Sequence, residues 1–215
     1  MIIILLGPPG SGKGTQADLL QEEFDDLKYL GTGDLLRDRK EKDDFTGNKI
    51  AEVMDEGVRV PTPVVFRVWM DKLEQFHQRN VENFIIDGSP RTVREAKMLE
   101  EALEWYNWED KRVLFIEVSQ EESTKRLLNR RICEDCDEIY PYTKKYKDMD
   151  KCEECGGNLI TRKDDNEEGI EQRWRWYRKE VKPVVDYYEG KGVLKRIDGE
   201  QSIEDVFEDV LKAIK

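Results

Sequence analysis

Short apolar runs recur along the chain and predict the strands of a buried sheet. They cover residues 1–6, 83–87 and 112–118; residues 193–198 make a fourth candidate strand, and residues 28–30 make a weaker one. A run that is apolar at nearly every position suits a strand that is covered on both faces, as strands in parallel sheets are. The pattern therefore predicts one parallel sheet of five strands.

Stretches with helical periodicity separate these runs. The clearest is the last, which follows a possible cap at Ser202 and repeats apolar residues at intervals of three and four. Strands that alternate with helices predict a three-layer α/β fold in which helices cover both faces of the sheet. Residues 34–78 and 132–160 interrupt the alternation, and we interpret both as excursions from the core rather than separate domains.

Composition limits the possible partners. The chain has 215 residues, of which 38% are hydrophobic, which suits one globular domain. Forty-eight acidic against 36 basic residues give a net charge of −12, which disfavours nucleic acid and anionic membranes as partners. The apolar N-terminus is too short to span a membrane and lacks the features of a signal peptide. We expect a soluble, cytoplasmic monomer.

A glycine-rich segment, GPPGSGKGT at residues 7–15, follows the first apolar run. Between a strand and a helix, such a loop surrounds phosphates with N–H groups, and the helix N-terminus adds positive charge. The common pattern has Ser or Thr directly after the lysine, whereas Gly14 intervenes here, so a flexible turn is the alternative. The predicted nucleotide-binding residues of the loop are Gly10, Ser11, Gly12, Lys13, Gly14 and Thr15.

Other charged residues fit phosphoryl transfer. Asp87 ends an apolar run, where its carboxylate could hold the water shell of Mg²⁺. Arg91 offers a planar fork of donors to a phosphate. Arginines also flank the second excursion, with the first three predicted on one helix: Arg126, Arg130, Arg131, Arg162 and Arg173. In a protein of net negative charge, this cluster indicates a focused anionic site, although Arg131 could equally belong to a solvated helix face.

All four cysteines lie in two Cys-x-x-Cys pairs: Cys133, Cys136, Cys152 and Cys155. The fifteen residues between the pairs are typical of two knuckles that hold Zn²⁺ tetrahedrally. Four sulfur ligands leave no open coordination position, so the metal is predicted to be structural. Iron is an alternative occupant, and two disulfides are an alternative to a metal site.

Nearly the whole chain resembles the adenylate kinase family. The resemblance rests on GKGTQ at residues 12–16, TGDLLR at 32–37, IIDGSPRT at 85–92 and RKDD at 162–165. It implies a P-loop kinase core over residues 1–30, 80–131 and 161–215, a nucleoside-monophosphate-binding region over 31–79 and a zinc lid over 132–160. It also implies reversible transfer of a phosphoryl group from Mg·ATP to AMP.

The resemblance also implies individual roles. Arg126 is expected to stack on the adenine of ATP, and Arg130 is expected near the transferring phosphates. The implied catalytic residues are Lys13, Asp87, Arg91, Arg130, Arg162 and Arg173. The implied AMP-binding residues are Thr32, Arg37, Val60, Arg91, Glu95, Arg162 and Arg173.

Departures from the family leave the acceptor base open. Ser89 replaces the usual phenylalanine, Gly31 stands where serine is frequent, and Glu95 stands where the family commonly presents a glutamine to the AMP base. A carboxylate only accepts hydrogen bonds and would suit guanine, yet Thr92 and Glu95 also have the spacing of a capping box. AMP is the expected acceptor and GMP the first alternative. A zinc-ribbon module that binds nucleic acid or protein under nucleotide control is the alternative of another class.

Overall fold

A central parallel sheet organises the computed structural model, which describes residues 1–143, 146 and 149–215. Its strands are β1 (Ile2–Leu6), β2 (Lys28–Gly31), β3 (Phe84–Asp87), β4 (Lys111–Glu117) and β8 (Leu194–Asp198). Their spatial order is β2-β3-β1-β4-β8, and every neighbouring pair is parallel. The predicted five-stranded sheet is confirmed, with each strand within one residue of its predicted start.

Helices cover both faces of this sheet. They are α1 (Lys13–Glu23), α2 (Thr32–Lys40), α3 (Phe45–Asp55), α4 (Thr62–Gln78), α5 (Val93–Trp105), α6 (Gln120–Asn129), α7 (Glu167–Trp176), α8 (Lys182–Gly190) and α9 (Ile203–Ile214). A π-helical turn, Tyr177–Val181, joins α7 to α8. In the described part of the chain, no helix combines the length and apolar character needed to cross a membrane.

Two hydrophobic clusters lie on opposite faces of the sheet. Ile2 and Ile4 of β1 belong to the cluster that includes buried residues of α4, α5 and α8. Ile3 and Leu5 belong to the other cluster, which α1 and α9 complete. This alternation arises because successive strand side chains point to opposite faces. Each fully buried aliphatic side chain contributes about 1.5–3 kcal/mol, so both faces need helical cover. The three-layer prediction is confirmed.

The last helix has the predicted start. The Ser202 side chain accepts a hydrogen bond from the Asp205 backbone N–H at 3.1 Å, which satisfies one of the free donors at the helix N-terminus. Val206, Val210 and Ile214 are buried against the sheet. The Ser202 cap and the buried apolar residues therefore both support the predicted position of α9.

The first excursion is helical, with α2, α3 and α4 between β2 and β3. The second is a small antiparallel sheet in the order β6-β5-β7, formed by β5 (Arg131–Cys133), β6 (Ile139–Tyr140) and β7 (Leu159–Ile160). Residues 144, 145, 147 and 148 of the predicted zinc lid lie outside the described residues.

The prediction that Arg126, Arg130 and Arg131 share a helix was wrong. Helix α6 ends at Asn129, Arg130 has an extended backbone, and Arg131 opens β5. Two tertiary interactions compete with the helix here. Arg131 pairs with Tyr140 in the small sheet, and the Arg130 side chain binds a distant carboxylate.

Candidate active site

The glycine-rich loop lies at the carboxyl end of β1 and leads into α1. Gly10 and Gly12 have φ angles of 72° and 91°, a left-handed conformation that glycine adopts without steric cost. Helix α1 begins at Lys13, whose Nζ donates to the carbonyls of Gly7 (3.1 Å) and Pro8 (3.0 Å). The lysine ammonium is therefore held over the loop. This is the geometry in which backbone N–H groups and a lysine bind phosphates.

Asp87 lies close to Lys13 because β1 and β3 are adjacent and end at the same edge of the sheet. Burial lowers the pKa of Lys13, and the negative charge of Asp87 partly offsets this effect. The Asp87 carboxylate accepts hydrogen bonds from the Tyr29 hydroxyl (3.0 Å) and the Gly88 N–H (2.6 Å). Burial raises the pKa of Tyr29, so its hydroxyl remains a donor. A carboxylate oriented in this way fits the water shell of a Mg²⁺ ion.

A cavity of about 180 Å³ opens beside Lys13. Its charged lining comprises Lys13, Arg59, Arg91, Arg173 and Glu180. Arg91 Nε donates to the Gly88 carbonyl at 2.6 Å, which fixes the guanidinium at the end of β3. The cavity therefore gathers cations from separate elements at the edge where the glycine-rich loop lies, and such a site favours polyanionic ligands.

A second group of arginines is organised by two aspartates. Arg130 forms a bidentate contact with Asp165, in which Nε lies 2.8 Å from one carboxylate oxygen and Nη2 lies 2.9 Å from the other. Arg173 Nη2 donates to the same carboxylate at 2.6 Å. Arg162 Nε lies 2.7 Å from the carboxylate of Asp164. The Asp165 side chain has no exposed surface, so it fixes two arginines at the base of the second excursion.

Replacing Asp165 with asparagine is expected to lower the free energy of unfolding by about 3 kcal/mol, because it leaves two largely buried guanidinium groups without their anion. Urea unfolding followed by circular dichroism measures the change. Asp164→Asn is the matched control, since the Asp164 side chain is 44% exposed and its ion pairs are worth less than about 1 kcal/mol. Equal losses in the two variants would contradict the proposed importance of the buried carboxylate.

The other predicted ligands lie on helices α2 and α6 and in the segment between α3 and α4. Arg37 pairs with Asp34 within α2, and Arg126 Nε lies 2.9 Å from Glu122 within α6. Thr32 is buried, and its Oγ1 accepts a hydrogen bond from Trp69 Nε1 at 3.0 Å. Val60 is buried in the core cluster. The structure thus brings Lys13, Arg91 and Arg173 into one cavity, while Arg37 and Arg126 pair with acidic residues of their own helices.

Glu95 is 1% exposed, and both of its carboxylate oxygens accept hydrogen bonds. One accepts from Arg59 Nη2 (2.5 Å) and the Thr62 hydroxyl (3.1 Å), and the other accepts from the Arg91 backbone N–H (2.7 Å). The Thr92 hydroxyl accepts from the Glu95 N–H at 3.1 Å, which confirms Thr92 as the cap of α5. In a capping box, the Glu95 carboxylate would also accept from the Thr92 backbone N–H. Here it accepts from the Arg91 backbone N–H instead. Glu95 therefore anchors the start of α5.

Several residues that line the cavity were not predicted from the sequence to belong to the site. Arg59 lies in a turn between α3 and α4, where a lone arginine resembles ordinary surface. Trp176, Tyr177 and Glu180 reach the cavity from the end of α7 and the π-helical turn. A π-helical turn is frequent at functional sites, but its position has no simple sequence signal.

The four cysteines converge in the second excursion. Their sulfur atoms all lie within 4.8 Å of one another, and no disulfide joins these cysteines. Close pairs are Cys133 with Cys155 (3.4 Å) and Cys136 with Cys152 (3.6 Å). Sulfurs bound tetrahedrally at about 2.3 Å from a zinc ion lie about 3.8 Å apart, so the cluster fits a Zn²⁺ site. A side chain at Gly157 would bring its Cβ within 2.8 Å of the Cys133 sulfur, so this position requires glycine.

A glycine-rich loop between a parallel strand and a helix, with a lysine and arginines around one cavity, defines a P-loop phosphotransferase. A family model for adenylate kinase matches residues 5–193. The chain therefore belongs to the adenylate kinase family and is a nucleoside monophosphate kinase.

Individual relatives match over nearly their full length. The adenylate kinase of Thermotoga maritima is 40% identical, with 99% of this chain and 96% of that protein covered. The adenylate kinase of Archaeoglobus fulgidus is 39% identical, with coverage of 98% and 96%. The adenylate kinase of Petrotoga mobilis is 37% identical, with coverage of 100% and 98%. The range matched by the family model, residues 5–193, includes the loop, the cavity residues and the cysteine cluster.

Proposed function

We propose that the enzyme transfers the terminal phosphoryl group of Mg·ATP to AMP and forms two molecules of ADP. The observation that carries the proposal is the convergence of Lys13, Arg91 and Arg173 on one cavity beside the glycine-rich loop. The net charge of −12 makes this local excess of cations informative, because it sets the cavity apart from the rest of the chain. The adenylate kinase relatives support AMP as the acceptor.

The proposed chemistry is a direct in-line transfer. An oxygen of the acceptor's phosphate attacks the γ-phosphorus of ATP, the bond to the β,γ-bridging oxygen breaks, and ADP leaves with the electron pair. No protein nucleophile takes part. Lys13 stabilises the charge on the β- and γ-phosphates, and Arg91 orients the acceptor's phosphate with its planar fork. Bound Mg²⁺ would supply further charge neutralisation, with Asp87 holding its water shell.

We propose three functional regions for this reaction: the core, the nucleoside-monophosphate-binding region at residues 31–79 and the zinc lid at residues 132–160. Arg130, Arg162 and Arg173 lie where the lid meets the core, so movement of the lid would deliver their charge to the phosphates. Closure also excludes water, which would otherwise accept the phosphoryl group from ATP. The carboxylates of Asp164 and Asp165 hold these arginines before substrates bind.

The choice of AMP over GMP rests on Glu95. Its burial and its three hydrogen-bond donors give this carboxylate an anchoring role at α5, which leaves little reason to assign it to guanine. Zinc is the proposed occupant of the cysteine cluster, since four thiolates suit a closed structural site and borderline-soft Zn²⁺.

A phosphotransfer assay tests the proposal. Metal-loaded protein is incubated with Mg·ATP and each of AMP, GMP, CMP and UMP, and the diphosphates are separated by chromatography. We expect AMP to react with the highest kcat/KM and to yield two ADP per turnover. A preference for GMP would keep the mechanism and overturn the acceptor. Absence of transfer to every acceptor would overturn the enzyme proposal and favour a nucleotide-controlled zinc-ribbon module.

A further inference from the structure

Arg59 lies in the cavity with the cations of the proposed active site. It reaches the cavity from the turn between α3 and α4, whereas Lys13 comes from the start of α1, Arg91 follows β3 and Arg173 lies on α7. Its side chain is 29% exposed, so it is accessible from the cavity. The proposed mechanism assigns it no role.

Glu95 holds Arg59 in this position. The fully buried carboxylate accepts from Arg59 Nη2 at 2.5 Å through one oxygen and from the Arg91 backbone N–H at 2.7 Å through the other. A single anchored carboxylate therefore fixes both the Arg59 side chain and the backbone that carries Arg91. Side chains fixed in this way bind ligands with little loss of conformational entropy.

Arg59 and Arg91 line the same cavity. Burial is the main cause of the lowered pKa of Arg91, and the positive charge of Arg59 is the next largest. The negative charges of Glu95 and Asp87 partly offset both effects. One carboxylate between two guanidinium groups leaves a net positive charge, which favours a further anion in the cavity. Arg59 donates to Glu95 through Nη2. Its Nε and Nη1 lie in the same rigid plane and are suited to donate to a phosphate. The hydroxyl of Ser89, another cavity residue, is buried without a partner among the described residues.

We propose that Arg59 is a further substrate-binding residue that donates to the phosphate of the acceptor nucleotide beside Arg91. The inference rests on the proposed function, because it concerns the acceptor side of the same transfer. Glu95 is then a positioning residue, which acts through Arg59 and Arg91 rather than on the nucleotide. The alternative is that Arg59 only neutralises the buried carboxylate.

A double-mutant cycle separates these roles. Arg59→Leu alone would remove the donor but leave Glu95 buried and unpaired, so it is compared with Glu95→Gln and with the double variant Arg59→Leu/Glu95→Gln. We expect the double variant to recover most of the melting temperature lost in Arg59→Leu. The KM of the double variant for AMP should still be about tenfold higher than that of the unmodified protein, with a much smaller change in kcat. An increase of this size corresponds to the loss of one charge-assisted contact. Glu95→Gln keeps one accepting oxygen for Arg59 and turns its NH2 group toward the Arg91 backbone N–H, so it should lower the melting temperature but change KM by less than threefold.

Arg94→Leu is the matched control, since Arg94 is exposed on α5 next to Glu95 and loses the same charge. It should leave the KM for AMP within twofold of the starting protein. Calorimetric titration with AMP in the absence of ATP provides a readout that does not depend on turnover. A double variant with unchanged KM and unchanged AMP affinity would overturn the role of Arg59 while leaving the proposed function intact. Failure of the unmodified protein to bind AMP or transfer phosphate would overturn both.

Discussion

Lys13→Met is expected to lower kcat by about a thousandfold, which is the scale of removing a cation from a phosphoryl-transfer site. Lys13 is the cation held directly over the glycine-rich loop, where the β- and γ-phosphates are expected. Methionine keeps an unbranched apolar stem but lacks the ammonium, so the change isolates the charge. Single-turnover rates with Mg·ATP and AMP measure the effect on the chemical step.

The fold should survive this change. Burial lowers the pKa of Lys13 in the folded protein, which means that the charged form is less favourable there than in the unfolded chain. At pH 7, replacement of the ammonium removes a charge that folding disfavours and also removes its hydrogen bonds to Gly7 and Pro8, so the melting temperature should change little. Lys97→Met is the control, because Lys97 is exposed on α5. A Lys13 variant that keeps more than a tenth of kcat would show that this lysine does not stabilise the transferring group.

The three inner strands of the sheet, β1, β3 and β4, were predictable because they are largely buried on both faces. Residues such as Ile2, Ile3 and Ile4 are all inside, so the sequence shows an unbroken apolar run that few other structures explain. The loop that follows was equally clear, since its glycines are needed for the left-handed backbone at Gly10 and Gly12. In both cases local sequence and tertiary structure require the same residues.

The arginine positions were less predictable because tertiary partners determine them. We predicted one helix that carries Arg126, Arg130 and Arg131. The bidentate contact of Arg130 with Asp165, 35 residues further along, and the strand that begins at Arg131 end the helix earlier. Arg59 gave no signal at all. Its position in the cavity depends on Glu95, 36 residues away, and a pair of that kind has no characteristic spacing. Contacts between distant residues decide which of many surface-like arginines belong to the site.

Removal of the proposed lid metal is expected to unfold the small sheet that carries the cysteines and to abolish phosphoryl transfer, while the core sheet remains folded. The buried apolar cluster of this region contains only Cys133, Tyr140 and Cys152 among the described residues, which is too small a core to fold independently. Zinc binding to small thiolate sites contributes about 10–16 kcal/mol at neutral pH, so a bound zinc ion would replace the missing core. Chelator treatment, followed by hydrogen exchange along the chain and an activity assay, measures both effects.

Two variants make this prediction specific. Cys136→Ser removes one of the four sulfur ligands, and it should reproduce the effect of the chelator at ambient zinc concentration. Glu154→Ser changes an exposed residue between the two cysteines of the second pair and should retain metal and activity. Metal content by mass spectrometry of the native protein distinguishes zinc from iron. Slow exchange at residues 132–143 together with full activity in the chelated protein would contradict the prediction. The hydrophobic cluster alone would then stabilise the folded structure around the four cysteines.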